Sequence, residues 1–317
     1  MKTPREIQDE RYISLVKQRM GADLLAALED PGLTDFMRNA DGRCWIAAHG
    51  KGMYEASFTL PDSQVEALIG TLAAAMGTVA DAEHPIVEAE LPIYRIRFEG
   101  LIPPIVPAPA MALRKPAPVL HTLPDYVCEG FIKPSWASTL SEAVARKLNI
   151  LIAGVTGSGK TTLAGALLNE MVERSNPSDR YVVLEDIREI QCKADNALFL
   201  LTNEAVDLTR LVRTAMRLYP TRIIVGETRG AECLALLKAW LTHSGGVTTV
   251  HATSARTALM RLSGLIQEAA VGPQPELIAE TINLIVVIEG EGPNRRVTEL
   301  TRVDGYSPEK GFIVSPL

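Results

Sequence analysis

Eight consecutive residues, Gly154 to Thr161, read GVTGSGKT and directly follow the apolar run Ile150, Leu151, Ile152, Ala153. A glycine-rich turn between a buried strand and a helix lets backbone N–H groups converge on phosphate oxygens with no Cβ in the way, so this ordered spacing predicts a nucleoside triphosphate site. Gly154, Val155, Thr156, Gly157, Ser158 and Gly159 would form the cradle, Lys160 would reach the β and γ oxygens, Thr161 would hold Mg²⁺, and Thr162 would lie just beyond in the helix. That helix is legible in TTLAGALLNEMVE from Thr161 onward, and its positive end would face the anion.

Two acidic positions follow other apolar runs. After Arg222, Ile223, Ile224, Val225 the chain passes through Gly226 into Glu227, the best candidate to orient and polarise an attacking water. After a second run come Glu185, Asp186 and Glu189 with Arg188 among them. Their mutual repulsion would be relieved by Mg²⁺ or by Arg188, which makes Glu185 and Asp186 candidate metal ligands and Glu185 a catalytic candidate, with charge alone assigning no proton acceptor. His251 ends a further strand-like run, where it can donate a hydrogen bond to the γ-phosphate or to a carboxylate. Arg213, Arg217, Arg222 and Arg229 surround the Glu227 strand, and a planar guanidinium suits phosphoryl charge spread in a transition state. Arg217 and Arg229 are therefore expected to contact the nucleotide. His49, His84 and His121 have no mutual spacing that suggests a metal, and no zinc is expected.

The elements that must position these groups divide into two regions. Helical spacing over Arg11 to Leu28, a hairpin over Cys44 to Phe58 through Gly50 and Gly52, a helix over Pro61 to Met76 and a strand over Ile93 to Phe98 describe a small α+β domain, residues 1–102. Six prolines in residues 103–118 predict a stiff extended linker. Beyond it, in residues 119–317, strand-like runs at 149–153, 181–184, 197–201, 222–226, 247–250 and 284–288 alternate largely with helical stretches at 161–174, 208–218, 230–241 and 255–269. That order predicts an α/β domain of three layers around a parallel-rich sheet, whose ligands bind beyond the C-terminal strand ends. Arg97 and Arg114 flank the proline-rich stretch, so they could bring the first domain's positive charge onto a nucleotide held by the second.

Composition narrows the class. A chain of 317 residues with 47% hydrophobic content can bury two cores. No window approaches the roughly 18 unbroken apolar residues of a membrane span, and the start MKTPREIQDERY lacks the apolar core of a secretory signal, so a cytoplasmic protein, at most peripheral to the membrane, is expected. Cys44, Cys128, Cys192 and Cys233 stand singly, against a zinc site or a disulfide framework. A formal charge of −6 gives no global attraction to nucleic acid, and three Trp, seven Tyr and six Phe are spread without a basic stacking platform.

In combination, GVTGSGKTT at 154–162, VVLEDIREI at 182–190, AMRLYPTRIIVGETRG at 215–230 and GGVTTVHA at 245–252 resemble the traffic ATPases of type IV secretion and conjugal transfer, most closely the TrbB-like branch. These are relatives of the type II secretion and pilus-retraction motors. HPIVEAELPIYRIRFEGLIPPIVPAPAMALRKP at 84–116 is similar to the approach that precedes the family's motifs. The resemblance implies that Glu185, Asp186 and Glu189 form an acidic box, that Glu227 is the catalytic glutamate of a Walker B segment, and that His251 is the histidine-box residue. It also implies that Arg97 and Arg114 are the arginines which family members bring from the first domain and linker. Two departures stand out. The family's Arg-Pro-Asp before the Walker B strand is here Tyr219, Pro220, Thr221, and its Thr-Gly-His is here Thr242 joined directly to His243.

The resemblance further implies an α/β, RecA-like P-loop NTPase domain after the smaller α+β domain, in a homohexameric Mg²⁺-dependent ATPase working with the inner-membrane and cytoplasmic components of a conjugative type IV secretion apparatus. A nucleic-acid translocating motor and a regulatory nucleotide-binding module with little turnover are the alternative functions.

Overall fold

The computed structural model describes residues 3–317 except 49–50, 95, 116–120, 204, 270–271 and 291. The chain divides into two compact units, Met1–Pro118 and Val119–Leu317.

The first unit runs α1 (Pro4–Glu29), β1 (Leu33–Arg38), β2 (Cys44–Ala48), β3 (Gly52–Glu55), α2 (Asp62–Ala75), β4 (Ile86–Glu90), β5 (Arg97–Leu101) and β6 (Ala110–Arg114). Its sheet has the order β3-β2-β1-β6-β5-β4, with every neighbouring pair antiparallel. Val16, Met20, Leu24 and Leu28 recur every fourth residue on α1 and are buried with Val65, Leu68, Ile69 and Leu72 of α2, as a 3.6-residue period requires. At Gly21, φ is 74° and the helix breaks; Gln64 Nε2 donates to Met20 O at 2.8 Å there.

Two expectations are corrected in this unit. The proline-rich stretch is not all linker: residues 110–114 form β6, hydrogen-bonded between β1 and β5, with Met111 and Leu113 in the core. The buried Arg38 also holds that stretch, donating to Leu60 O through Nε at 3.2 Å and Nη2 at 3.1 Å, and to Pro109 O through Nη1. Residues 116–118 of the expected linker lie outside the described residues, as do His49 and Gly50 of the expected hairpin. The strand expected at Ile93 to Phe98 instead begins at Arg97, after a turn in which Tyr94 takes φ 57°. Ile93, Ile96 and Phe98 are all buried, but the left-handed residue between them shifts the alternation.

The second unit runs α3 (Leu123–Cys128), α4 (Pro134–Ala145), β7 (Ile150–Gly154), α5 (Lys160–Arg174), β8 (Tyr181–Glu185), β9 (Ala197–Leu201), α6 (Leu208–Ala215), β10 (Arg222–Val225), α7 (Glu232–Trp240), β11 (Val247–His251), α8 (Ala255–Gln267), α9 (Pro275–Thr281), β12 (Leu284–Glu289), β13 (Arg296–Ser307) and β14 (Gly311–Pro316). The sheet order is β14-β13-β12-β7-β11-β10-β8-β9. It is parallel from β12 to β9, and β13 and β14 add an antiparallel edge. Alternate residues of each parallel strand serve opposite faces. Leu151, Val182, Ile223 and Ile285 join one core with α6 to α9, while Ile152, Val183, Ile224 and Val286 join the other with α3 to α5. These are the three layers that the sequence predicts. Among the described residues, no helix is long and apolar enough to cross a membrane.

Candidate nucleotide site

Strand β7 is buried throughout and delivers the chain into the phosphate loop. A Cβ at Gly154 would collide with the Ser158 side chain and stand 2.9 Å from Ile288 O, so only glycine fits where the strand ends. Gly157 and Gly159 take φ 74° and 97°, the left-handed region that favours glycine. Gly159 then caps α5 without a side chain, leaving first-turn N–H groups directed at the loop. Ser158 Oγ is buried without a hydrogen-bond partner among the described residues. Lys160, 7% exposed, folds back so that Nζ donates to Val155 O at 3.0 Å. Burial pulls its pKa below the ordinary lysine value. Thr161 and Thr162 follow in the first turn, both half-buried. Convergent backbone donors, a lysine and an unpaired hydroxyl fit a polyphosphate.

The register brings the other candidates to the same end of the sheet. His251 pairs with Gly154, and Leu184 pairs with Val225, so Glu185 and Gly226 leave neighbouring strands together. Lys160 Nζ lies 3.3 Å from His251 Nδ1. Because an ammonium has only hydrogens to offer, Nδ1 must accept, and the imidazole is neutral with its proton on Nε2. Burial, followed by the Lys160 charge, depresses the His251 pKa, which favours that neutral form. His251 Nε2 stands 2.7 Å from Glu227 Oε1 in an ion-pair contact that falls outside hydrogen-bond geometry, so Oε1 is buried without a hydrogen bond among the described residues. Arg229 holds the other oxygen: its Nε and Nη2 donate to Glu227 Oε2 at 3.0 and 2.6 Å.

Glu185 is 3% exposed. Its Oε1 accepts from the Glu189 and Ile190 N–H groups at 3.0 and 2.9 Å, which fastens the loop after β8, while Oε2 has no partner among the described residues. Burial raises its pKa to about 7 despite those two bonds. A Cβ at Gly226 would meet Glu185 Cγ at 3.0 Å, so glycine there allows the two strand ends to approach. Asp186 Oδ1 accepts from Thr202 Oγ1 at 3.2 Å, and its Oδ2 lies 4.0 Å from Arg229 Nη1. Among the described residues, no three His, Cys, Asp or Glu side chains gather where they could hold a metal ion.

Other expected residues are not brought to the loop within this unit. Arg217 follows α6 in the turn that enters β10, and Arg222 begins that strand. In a parallel sheet that end is opposite the phosphate loop. Arg222 is 1% exposed and donates to Gly245 O, Val144 O and Ser175 Oγ at 3.0 to 3.1 Å; it secures the fold there. Arg213 is exposed in a groove with Asn203, Asp207 and Arg210. Thr221, where the family has aspartate, accepts from Arg180 N at 3.0 Å, and His243 Nδ1 meets its neighbour Thr242 Oγ1 at 2.9 Å. Arg97 and Arg114 belong to the first unit and stand directly opposite each other in β5 and β6, with Arg114 Nε donating to Asp35 Oδ1 at 2.7 Å.

Sequence reasoning missed Glu232. Its Oε1 accepts from the Arg229 and Gly230 N–H groups at 2.6 and 2.8 Å, fixing the turn that carries Arg229. An acidic residue in the first turn of α7 was its only signal in the sequence.

The sequence profile described as "Type II/IV secretion system protein" matches residues 24–290. The chain belongs to that secretion family. Within it, the chain is 46% identical over 297 residues to "Conjugal transfer protein TrbB" of Rhizobium radiobacter, covering 93% of this chain and 91% of the relative. Its fold is similar to the crystal structure of the Legionella pneumophila ATPase DotB, with TM-score 0.63, 20% identity, 90% of this chain and 80% of that chain covered. It is also similar to the pilus retraction motor PilT with bound ADP, with TM-score 0.59, 17% identity and coverage of 93% and 81%.

Proposed function

We propose that this secretion-family chain is a Mg²⁺-dependent ATPase that drives conjugative transfer or type IV secretion, acting as a homohexamer in the cytoplasm against the inner-membrane apparatus. The observation that carries the reading is the continuous contact from Lys160 through His251 to Glu227 at the mouth of the phosphate loop. The 46% identity to a conjugal transfer protein supports the biological setting.

In this mechanism the loop amides and Lys160 hold the phosphates, and Thr161 offers its hydroxyl to Mg²⁺. The ion would supply neutralising charge to the phosphate oxygens. Glu227 Oε1, left open as an acceptor, takes the proton of the attacking water, while Arg229 fixes the same carboxylate through Oε2. Neutral His251 sits between Lys160 and Glu227 and separates the ammonium from the carboxylate. Domain movement would convert hydrolysis into work.

Phosphate release by the purified chain, with and without Mg²⁺ and single-stranded DNA, tests this reading alongside solution mass with and without ATP. Metal-dependent turnover by a species of about six subunits is expected. Turnover that appears only with DNA would favour a nucleic-acid motor, and nucleotide binding without turnover in any condition would favour a regulatory module.

A further inference from the structure

The phosphate loop has a second cationic neighbour that no motif announces. Strand β12 flanks β7 on the side away from β11 and β10, and Ile288 is in register with Gly154. The connection from β12 to β13 therefore leaves the sheet beside the loop. Gly290, with φ 92°, turns that connection tightly; a Cβ there would collide with Asn294 O and stand 3.2 Å from Arg295 Cα. Beyond it, Val297 N donates to Phe131 O at 2.7 Å, which anchors the far side of Arg295. The arginine stem reaches the loop itself, since a Cβ on Gly159 would lie 4.0 Å from Arg295 Cδ. Among the described residues, nothing takes a hydrogen bond from its buried Nε, and no carboxylate pairs with its guanidinium.

We propose that Arg295 binds the part of the nucleotide shared by ATP and ADP, on the α-phosphate side, and so sets affinity without acting on bond cleavage. The inference rests on the nucleotide-site reading above. Glu227 and His251 leave β10 and β11 on one flank of the loop and define the γ-phosphate end. Arg295 comes from the other flank, where the remainder of the nucleotide must extend. A permanent, forked cation with unused donors suits a phosphate oxygen there.

The test compares wild type, Arg295→Ala, Arg295→Gln and Arg295→Lys by equilibrium binding of ADP and of a non-hydrolysable ATP analogue, steady-state turnover, and thermal unfolding without nucleotide. Loss of a charge-assisted contact should weaken both nucleotides by the same factor, about tenfold or more, and raise KM in parallel. The kcat should stay within about twofold. Lys should recover part of the affinity, while Gln keeps most of the stem against the loop and separates loss of charge from loss of packing. Unchanged ADP affinity in both Ala and Gln overturns the proposal, as does a fall in kcat with ADP affinity preserved. If wild type binds ADP and Lys160→Ala weakens that binding while the Arg295 variants do not, the nucleotide site stands and Arg295 alone is excluded. Failure of wild type to bind either nucleotide overturns both.

Discussion

Arg222 and Arg229 stand at opposite ends of one short strand, β10, and have opposite circumstances. The first is 1% exposed and gives its guanidinium to main-chain and hydroxyl oxygens that tie three segments together. The second is 59% exposed and grips a carboxylate whose other oxygen is left without a hydrogen bond. Asn149 belongs with Arg222: its Oδ1 accepts from the Gly245 and Gly246 N–H groups at 2.8 and 3.0 Å and its Nδ2 donates to Thr281 O at 2.8 Å. Ser158 Oγ and Glu185 Oε2 belong with Glu227 Oε1, as buried oxygens without a hydrogen bond among the described residues. At the entering end of the sheet these polar side chains close the fold, whereas at the leaving end three buried oxygens keep no hydrogen bond among the described residues. The same residue type takes either role according to which end of a strand it occupies.

Substitutions at the two ends should therefore separate turnover from stability. The largest loss of turnover is expected for Lys160→Ala, at least about a hundredfold in kcat/KM through the lost charge-assisted phosphate contact. Its unfolding midpoint should change little. Phosphate release and thermal melting on one preparation check both, and wild-type turnover would break the comparison at its leaving end. Arg222→Met should do the reverse, costing about 3 kcal/mol in urea unfolding because buried oxygens lose their donors. Its kcat per folded molecule should stay within about twofold.

Glu185→Gln probes a group that belongs to both categories. Its pKa is raised to about 7 in the folded chain, so between about pH 4.5 and 7 the folded state keeps a proton that the unfolded state releases. Wild-type stability should fall as pH rises through that window, by on the order of 2 to 3 kcal/mol from this group. Gln keeps the acceptor for the Glu189 and Ile190 N–H groups and should remove that part of the slope. Urea midpoints at pH 5 and pH 8 measure it, and equal slopes in both proteins would sink the assignment. Glu227→Gln is expected to reduce kcat at least about tenfold, with ATP affinity retained and stability unaltered. Weakened binding with kcat preserved would instead make Glu227 a binding residue.

Much of the leaving end was legible in the sequence because its constraints are local. A buried strand, glycines at fixed offsets and a helix start can be read from GVTGSGKT, and strand ends at Glu185, Glu227 and His251 follow from uninterrupted apolar runs. Positions fixed by distant pairing were less visible. AMALR in β6 looks like part of a proline-rich linker until β1 and β5 are present on either side. Strand β13 hides because a register shift at Val287/Ile288 puts Val297 and Leu300, three residues apart, into one core and spoils simple alternation. Arg217 looks close to Glu227 in sequence, but β10 separates the two ends of the sheet. Arg295 has no local signal, since its approach to Gly159 depends on the register of β12 against β7.

The pairing across the first unit carries a different electrostatic consequence. Asp35, Arg114, Arg97 and Glu90 occupy successive opposed positions in β1, β6, β5 and β4, on one face with strands about 4.8 Å apart. The row reads minus, plus, plus, minus. It has no net charge and, by symmetry, almost no dipole, so its leading field is quadrupolar and decays more steeply than that of a lone arginine pair. Salt shortens its reach further, with a Debye length of about 8 Å at physiological ionic strength. Such a row cannot draw an anion in from bulk solution. It discriminates only at contact, where the two central arginines are nearer than the flanking carboxylates.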